Sequence, residues 1–276
     1  ITSCFDASII EEHKHRYKSI TESILRKLVE NYDDAVVGQS KVMKHILPAL
    51  YSQHRNARKR PVVLLFLGDS GIGKTETAKY ISDVLGERLV RIQCSMQQTN
   101  IAYQYIFGGE HNQNSMARDL IRRTSNVILL DEFDKVHPQF YNAFYQMFDE
   151  GKYVDSSYEV DVSKCVFICT SNFQSRTEAE KQLGKPILSR FSEVVIFEPL
   201  SAESKMRIVD NVLETYISQL SKADRKIMEE KNGAESLRAE FEKAIKRGGG
   251  YGNIRMLKND IENAINYKML EWKEIL

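Results

Sequence analysis

The chain has 276 residues, of which 42% are apolar, and its 39 basic and 38 acidic side chains leave a formal net charge of +1. This length suits one large domain or one domain with a smaller companion, and the apolar share supplies a sizeable core. The charge balance excludes a nucleic-acid binder that works through bulk positive charge, leaving only a local patch for that purpose.

In chain order, residues 11–32 read as a charged helix with Ile20, Ile24, Leu28 and Val29 as its apolar stripe. A turn at Asp33 and Asp34 leads through Val36-Val37-Gly38-Gln39 into a second amphipathic helix over 41–58, closed by Pro61. Val62 to Leu67 is a continuous apolar run, as in a buried central strand of a parallel sheet. It is far shorter than the roughly 20 apolar residues of a membrane span. A glycine loop follows, then a helix over 74–85. Further strands are expected at 89–94, 127–130, 165–170 and 194–197, with helices at 116–123 and 138–150. Alternation of strand and helix predicts an α/β fold with a mainly parallel sheet. Beyond Pro199 the pattern turns helical, over 202–220 behind a Ser201 cap, 235–247 and 254–275. Gly248-Gly249-Gly250 separates the last two. The expected division is a helical extension over 1–32, a large α/β domain over 33–200 and a small helical domain over 201–276.

The first residues show no basic start followed by an apolar stretch, so no signal peptide is expected. Without an initiator Met, the sequence reads as a processed product or a piece of a longer protein. Cys4, Cys94, Cys165 and Cys169 form no C-x-x-C pair and read as small apolar residues in a reduced compartment, the cytoplasm or one similar to it. Four-residue spacing in a strand puts Cys165 and Cys169 on one face.

Gly68-Asp69-Ser70-Gly71-Ile72-Gly73-Lys74-Thr75 fits the phosphate-loop pattern G-x-x-x-x-G-K-[ST], with a buried strand entering and a helix leaving. Its glycines let backbone amides turn towards phosphate oxygens, and the helix N-terminus adds its positive end. Lys74 reaches the β- and γ-phosphates of ATP, and the Thr75 hydroxyl is a ligand for Mg2+. Glu76, on the first helical turn, belongs to the same nucleotide-binding set. The strand over 127–130 ends in Asp131 and Glu132. Asp131 supports the metal and Glu132 polarises the attacking water. Both lie at the carboxyl end of a strand, where open α/β sheets bind ligands. Asn172, after a further strand, is placed to hold that water.

Together these motifs resemble the AAA+ ATPases and, within them, the Clp-type unfoldases and disaggregases, from about Val36 to the end of the chain. Val36-Val37-Gly38-Gln39 is similar to the family's segment beside adenine, which marks Val37 and Gly38 as nucleotide-binding. Leu129-Leu130-Asp131-Glu132-Phe133-Asp134-Lys135-Val136-His137-Pro138 and Phe148-Asp149-Glu150-Gly151-Lys152 are close to Clp signatures. Pro186-Ile187-Leu188-Ser189-Arg190-Phe191 resembles the segment carrying the arginine finger, and Gly252-Asn253-Ile254-Arg255 the second sensor. The resemblance implies a five-stranded parallel sheet flanked by helices, with a C-terminal helical lid. It also implies a homo-oligomeric ring, usually of six subunits. Arg190 then acts in trans on the γ-phosphate of a neighbour, and Arg255 acts in cis.

The stretch from Phe107 to Ser115 departs from the family, because it lacks the aromatic–apolar tip with which Clp-type unfoldases grip polypeptide. Torsin-type relatives also lack that grip, although this chain keeps its arginine. Three functions follow in order: an ATP-driven remodeller of an unnamed protein client, an ATP-controlled assembly switch without threading, and a nucleic-acid-associated motor suggested by the basic cluster from Arg55 to Arg60.

Overall fold

The computed structural model describes residues 17–55, 60–96, 100–109, 114–248 and 251–276. The chain runs through α1 (Glu22–Glu30), α2 (Tyr32–Ala35), α3 (Val42–His54), β1 (Val62–Leu67), α4 (Lys74–Leu85), β2 (Val90–Gln93) and α5 (Asn100–Phe107). It continues with α6 (Met116–Ile121), β3 (Val127–Asp131), α7 (Tyr141–Glu150), β4 (Lys152–Val154), β5 (Glu159–Asp161), β6 (Val166–Thr170), α8 (Arg176–Leu183), α9 (Lys185–Leu188) and β7 (Glu193–Ile196). The last elements are α10 (Ala202–Gln219), α11 (Lys222–Glu230), α12 (Gly233–Lys246) and α13 (Ile254–Trp272).

Five strands form a parallel sheet in the order β2-β3-β6-β1-β7. The three central strands β1, β3 and β6 are buried along their whole length, which is why they read as unbroken apolar runs. Side chains alternate between the two faces. Val63, Leu65, Ile128, Leu130 and Phe167 pack against α5 to α9 on one face. Leu64, Phe66, Leu129 and Ile168 pack against α1 to α4 on the other. Cys165 and Cys169 share the first face, as their spacing predicts, and both are free thiols.

Several elements differ from the sequence expectation. The expected helix over 11–32 starts at Glu22 among the described residues, because the Thr21 hydroxyl caps it by accepting from the Ile24 N–H. Val29, assigned to the apolar stripe, is 53% exposed, and Leu25 takes its place in the core. Helix α3 ends at His54, and residues 56–59 of the basic cluster lie outside the described part. The antiparallel pair β4–β5 was not anticipated, since three-residue strands carry too little alternation to detect. Its turn is tied to the stretch after α5: the Ser156 N–H donates to Phe107 O at 2.9 Å, and Ser115 Oγ to Asp155 Oδ2 at 2.9 Å. Residues 110–113 of that stretch lie outside the described part, as do Gly249 and Gly250.

Helices α10 to α13 bury a separate apolar cluster around Val209, Leu237, Leu257 and Ile261, with Val37 and Leu200 from the preceding chain joined to it. Helix α11 escaped the sequence reading because Met228 is its one buried residue. No helix among the described residues is long and apolar enough to cross a membrane.

Candidate active site

The chain leaves β1 at Leu67, loops through residues 68–73 and enters α4 at Lys74. Gly71 and Gly73 hold φ of +76° and +113°, a conformation that L side chains rarely adopt. Behind the loop, the buried Gln39 donates from Nε2 to Ile72 O at 3.1 Å and to Glu198 O at 2.9 Å. These bonds bolt the Val37–Gly38 segment to both the loop and the exit of β7. Gln174 Nε2 donates to Asp69 Oδ1 at 2.8 Å and fixes the loop from the β6 side.

Lys74 folds back over its own loop. Its ammonium donates to Gly68 O, to Asp69 O at 2.7 Å and to Asn172 Oδ1 at 3.4 Å. Burial lowers its pKa to about 8, against the opposing pull of Asp134, Asp69 and Asp131. The phosphate-loop lysine and Asn172 of the β6 exit therefore share one site.

The register of β2 on β3 sets Gln93 beside Asp131 at the carboxyl ends of both strands. Both oxygens of the buried Asp131 are engaged: Oδ1 accepts from Thr170 Oγ1, and Oδ2 is ion-paired with Arg91. Glu132 adopts a left-handed backbone, φ 56° and ψ 48°. Such a conformation costs a non-glycine residue about 1–3 kcal/mol and is concentrated at functional sites. The Glu132 N–H donates to Thr170 Oγ1 at 3.0 Å, and Glu132 Oε2 accepts from Gln93 Nε2 at 2.9 Å. Thr170 thus orients both acids.

A cleft of about 370 Å³ joins these groups. Val37, Ser70, Gly71, Gly73, Lys74, Thr75, Glu76, Asp131, Glu132, Asn172 and Arg255 line it. Gly38, Gly68, Asp69 and Ile72 are not among the lining residues; Ile72 is buried in the core, and Asp69 is exposed. The far wall is Ile208, Asn211, Val212 and Thr215 of α10 with Arg255 and Lys258 of α13. Helix α13 is docked directly on the phosphate loop, since the Ile254 N–H donates to Gly71 O at 3.0 Å. The Asn253 side chain caps the same helix by accepting from the Arg255 N–H at 2.8 Å.

Arg190 lies away from this cleft. Its Nε donates to Asp149 Oδ2 at 2.7 Å, its Nη1 to Pro186 O, and its guanidinium stands 4.1 Å from the Tyr145 ring centroid. The sequence reading missed Asp34, Arg91, Asp134, Asn211, Thr215 and Lys258 as parts of the cleft. Asp134 lay inside the quoted acidic motif, and Lys258 follows Arg255 by one helical turn, so both had a local signal. The others become neighbours only through the fold.

The donor set suits a nucleotide with a hydrated divalent cation. Thr75 offers a hydroxyl, and Asp131 is paired with Arg91. The described residues contain no group of three or more His, Cys, Asp or Glu side chains able to hold a metal ion by themselves. A cation here would share its shell with phosphate and water, as Mg2+ does in nucleotide sites.

Comparison with known proteins places the chain in a family. The chain is 31% identical over 229 residues to the chaperone protein ClpB of Helicobacter hepaticus, covering 73% of this chain and 26% of that protein. It is 29% identical over 241 residues to ClpB of Staphylococcus epidermidis, covering 75% of this chain and 27% of that protein. The chain thus spans about a quarter of the length of these relatives. In fold it is similar to Hsp104 in a closed-state cryo-EM reconstruction with ATPγS and FITC casein. The TM-score is 0.71 at 24% identity, over 91% of this chain and 49% of that one. The model of the AAA domain (Cdc48 subfamily) matches residues 59–245, more than half of the chain. The chain belongs to the AAA+ ATPases, as a module of the Clp type.

Proposed function

We propose that the chain binds ATP with Mg2+, hydrolyses it, and uses the cycle to remodel proteins or protein complexes within a ring. The observation that carries this reading is the convergence of Lys74, Asp131, Glu132 and Asn172 on one cleft at the carboxyl edge of the sheet. In this reading the loop amides and Lys74 hold the phosphates, and Val37 and Gly38 flank the adenine. Thr75 and Asp131 are the residues that would hold Mg2+. When bound, Mg2+ neutralises charge on the phosphates. Glu132 takes the proton of the attacking water, and Asn172 orients that water. The left-handed backbone at Glu132 and the donor from Gln93 support this role, because both restrict where its carboxylate points.

Arg255 on the far wall acts in cis and reports nucleotide state to the helical lid. Arg190, remote from its own cleft and held at its base by Asp149 and Tyr145, acts in trans on a neighbour's γ-phosphate. This arrangement calls for a ring, with six subunits as the expected number. The matching division is a large α/β domain over 33–200 and a helical lid over 201–276. Within the proposed helical extension over 1–32, the described helix α1 packs against α3 and α4. Likeness to proteins named chaperones supports a protein client. The polar stretch after Phe107 favours one alternative, in which ATP drives assembly and hydrolysis releases it without threading.

The test is phosphate release by Glu132→Gln. ATP binding is expected to survive while turnover falls at least about 100-fold, the span usual for a lost general base. Unchanged turnover removes Glu132 from the mechanism. Capture of bound material on the ATP-loaded Glu132→Gln protein then separates a protein client from self-assembly alone.

A further inference from the structure

Asp134, Asp69 and Asp131 act on Lys74, Glu132 follows Asp131 in the chain, and three of these four carboxylates accept a hydrogen bond. Asp131 has a partner on each oxygen, Glu132 accepts from Gln93, and Asp69 accepts from Gln174. Asp134 differs. Its side chain is 5% exposed, Oδ2 stands 3.1 Å from Lys135 Nζ, and Oδ1 is buried with no hydrogen-bond partner. The residue lies in the short turn after Glu132 and lines the cleft. Native proteins seldom leave a buried carboxylate oxygen without a donor, because the lost hydration is not replaced.

A triphosphate entering the cleft makes that position harder still. Asp131, Glu132 and Asp134 would all face a polyanion; the cations lining the cleft are Lys74, Arg91, Arg255 and Lys258, and Arg91 is already paired with Asp131. A divalent cation resolves the conflict. Mg2+ retains several waters when it binds nucleotide, and each is a hydrogen-bond donor. Direct coordination by the acids alone is disfavoured, since no three of them converge on one point among the described residues. We propose that Asp134 is a further carboxylate of the divalent-cation site, accepting a hydrogen bond from a metal-bound water through Oδ1. The inference rests on the ATP–Mg2+ reading above and adds a residue to it. Asp134 is a positioning residue, acting on the cation's water shell and not on the reacting phosphate. The competing occupant of Oδ1 is the Lys74 ammonium, for which Asp134 is the strongest acidic influence.

Mn2+ titration followed by its EPR signal, on the full chain with ATPγS, tests this directly. Asp134→Asn is expected to weaken Mn2+ binding about tenfold or more, the usual cost of an outer-shell change. ATPγS affinity in EDTA should stay within about twofold of the parent value. Asp134→Ala repeats the measurement with the acceptor removed altogether, and the unfolding transition reports whether each variant is folded. Unchanged Mn2+ affinity in the folded variants overturns the proposal. So does an equal loss of ATPγS affinity in EDTA, which assigns Oδ1 to Lys74. A parent chain that binds no Mn2+–ATPγS at all overturns the ATPase reading and this inference with it.

Discussion

Gln93 at the end of β2 holds the carboxylate of Glu132, Nε2 to Oε2 at 2.9 Å, across the two strands whose register sets Gln93 beside Asp131. Gln93 also donates to Ser95 Oγ at 3.0 Å, so its amide is itself fixed. The carboxylate of Glu132, the proposed general base, is therefore aimed by its neighbouring strand as well as by its own backbone.

Removing that donor should loosen the base without touching nucleotide binding. Gln93→Ala is expected to lower the rate of phosphate release about tenfold, with ATP affinity unchanged. Gln93→Glu should cost more, because it sets a second negative charge within hydrogen-bond reach of Glu132. Steady-state phosphate release beside equilibrium ATP binding checks both. A Gln93→Ala enzyme with parental turnover would mean that Glu132 is positioned by its backbone alone.

Arg190 leads to a different kind of experiment. Its guanidinium is stacked on Tyr145 and bonded to Asp149, so its planar shape is used at the base before any neighbour is met. Arginine fingers contribute about 10³ to 10⁵ in rate. Arg190→Ala should lose activity on that scale while still binding ATP, and Arg190→Lys should do little better, since an ammonium neither stacks nor forks. Mixing Arg190→Ala with Glu132→Gln subunits should restore part of the turnover if sites are completed between chains. No recovery in a mixture shown to co-assemble would count against a shared site.

The junction of loop and lid rests on Gly71. A Cβ there would stand 2.1 Å from Asn253 Oδ1, on a backbone with φ +76°. Gly71→Ala should push the start of α13 away from the loop and break the Ile254–Gly71 bond. ATP affinity is expected to fall at least tenfold, with amide exchange rising in the first turn of α13. Asn253→Ala removes the cap alone, which is worth about 1 kcal/mol, and should produce a milder form of the same effect. Parental affinity in Gly71→Ala would show that lid docking is not coupled to the phosphates.

What was legible in the sequence follows from how local each constraint is. Phosphate binding asks for a turn and a helix start in consecutive residues, so Gly68 to Thr75 could be read directly. The buried strands β1, β3 and β6 were legible because both faces are covered and no polar residue interrupts them. Arg91 and Gln93 were not, because their partners Asp131 and Glu132 stand on the neighbouring strand, 40 and 39 residues away in sequence. Helix α11 and the β4–β5 pair carry one or two buried residues each, too few to show a period. Arg190 could be found by motif, but its partner Asp149 belongs to another helix and is seen only in the fold.

Lys74 makes the site sensitive to pH in a direction that can be worked out. Burial lowers its pKa to about 8 from an ordinary 10.5. Between those values the unfolded chain holds more protons at this position than the folded one. The group therefore adds stability to the nucleotide-free protein as pH rises from about 8 to 10.5, and its burial penalty is fully present below that window. Phosphates favour the charged ammonium, so the nucleotide-bound state reclaims the proton. ATP binding above about pH 8 should take up as much as one proton per site, and affinity should fall as pH climbs through this range. Calorimetry at about pH 8.5 in two buffers of different ionisation enthalpy measures the uptake. Identical heats in the two buffers would mean that Lys74 is already charged before nucleotide arrives, with Asp134, Asp69 and Asp131 outweighing its burial.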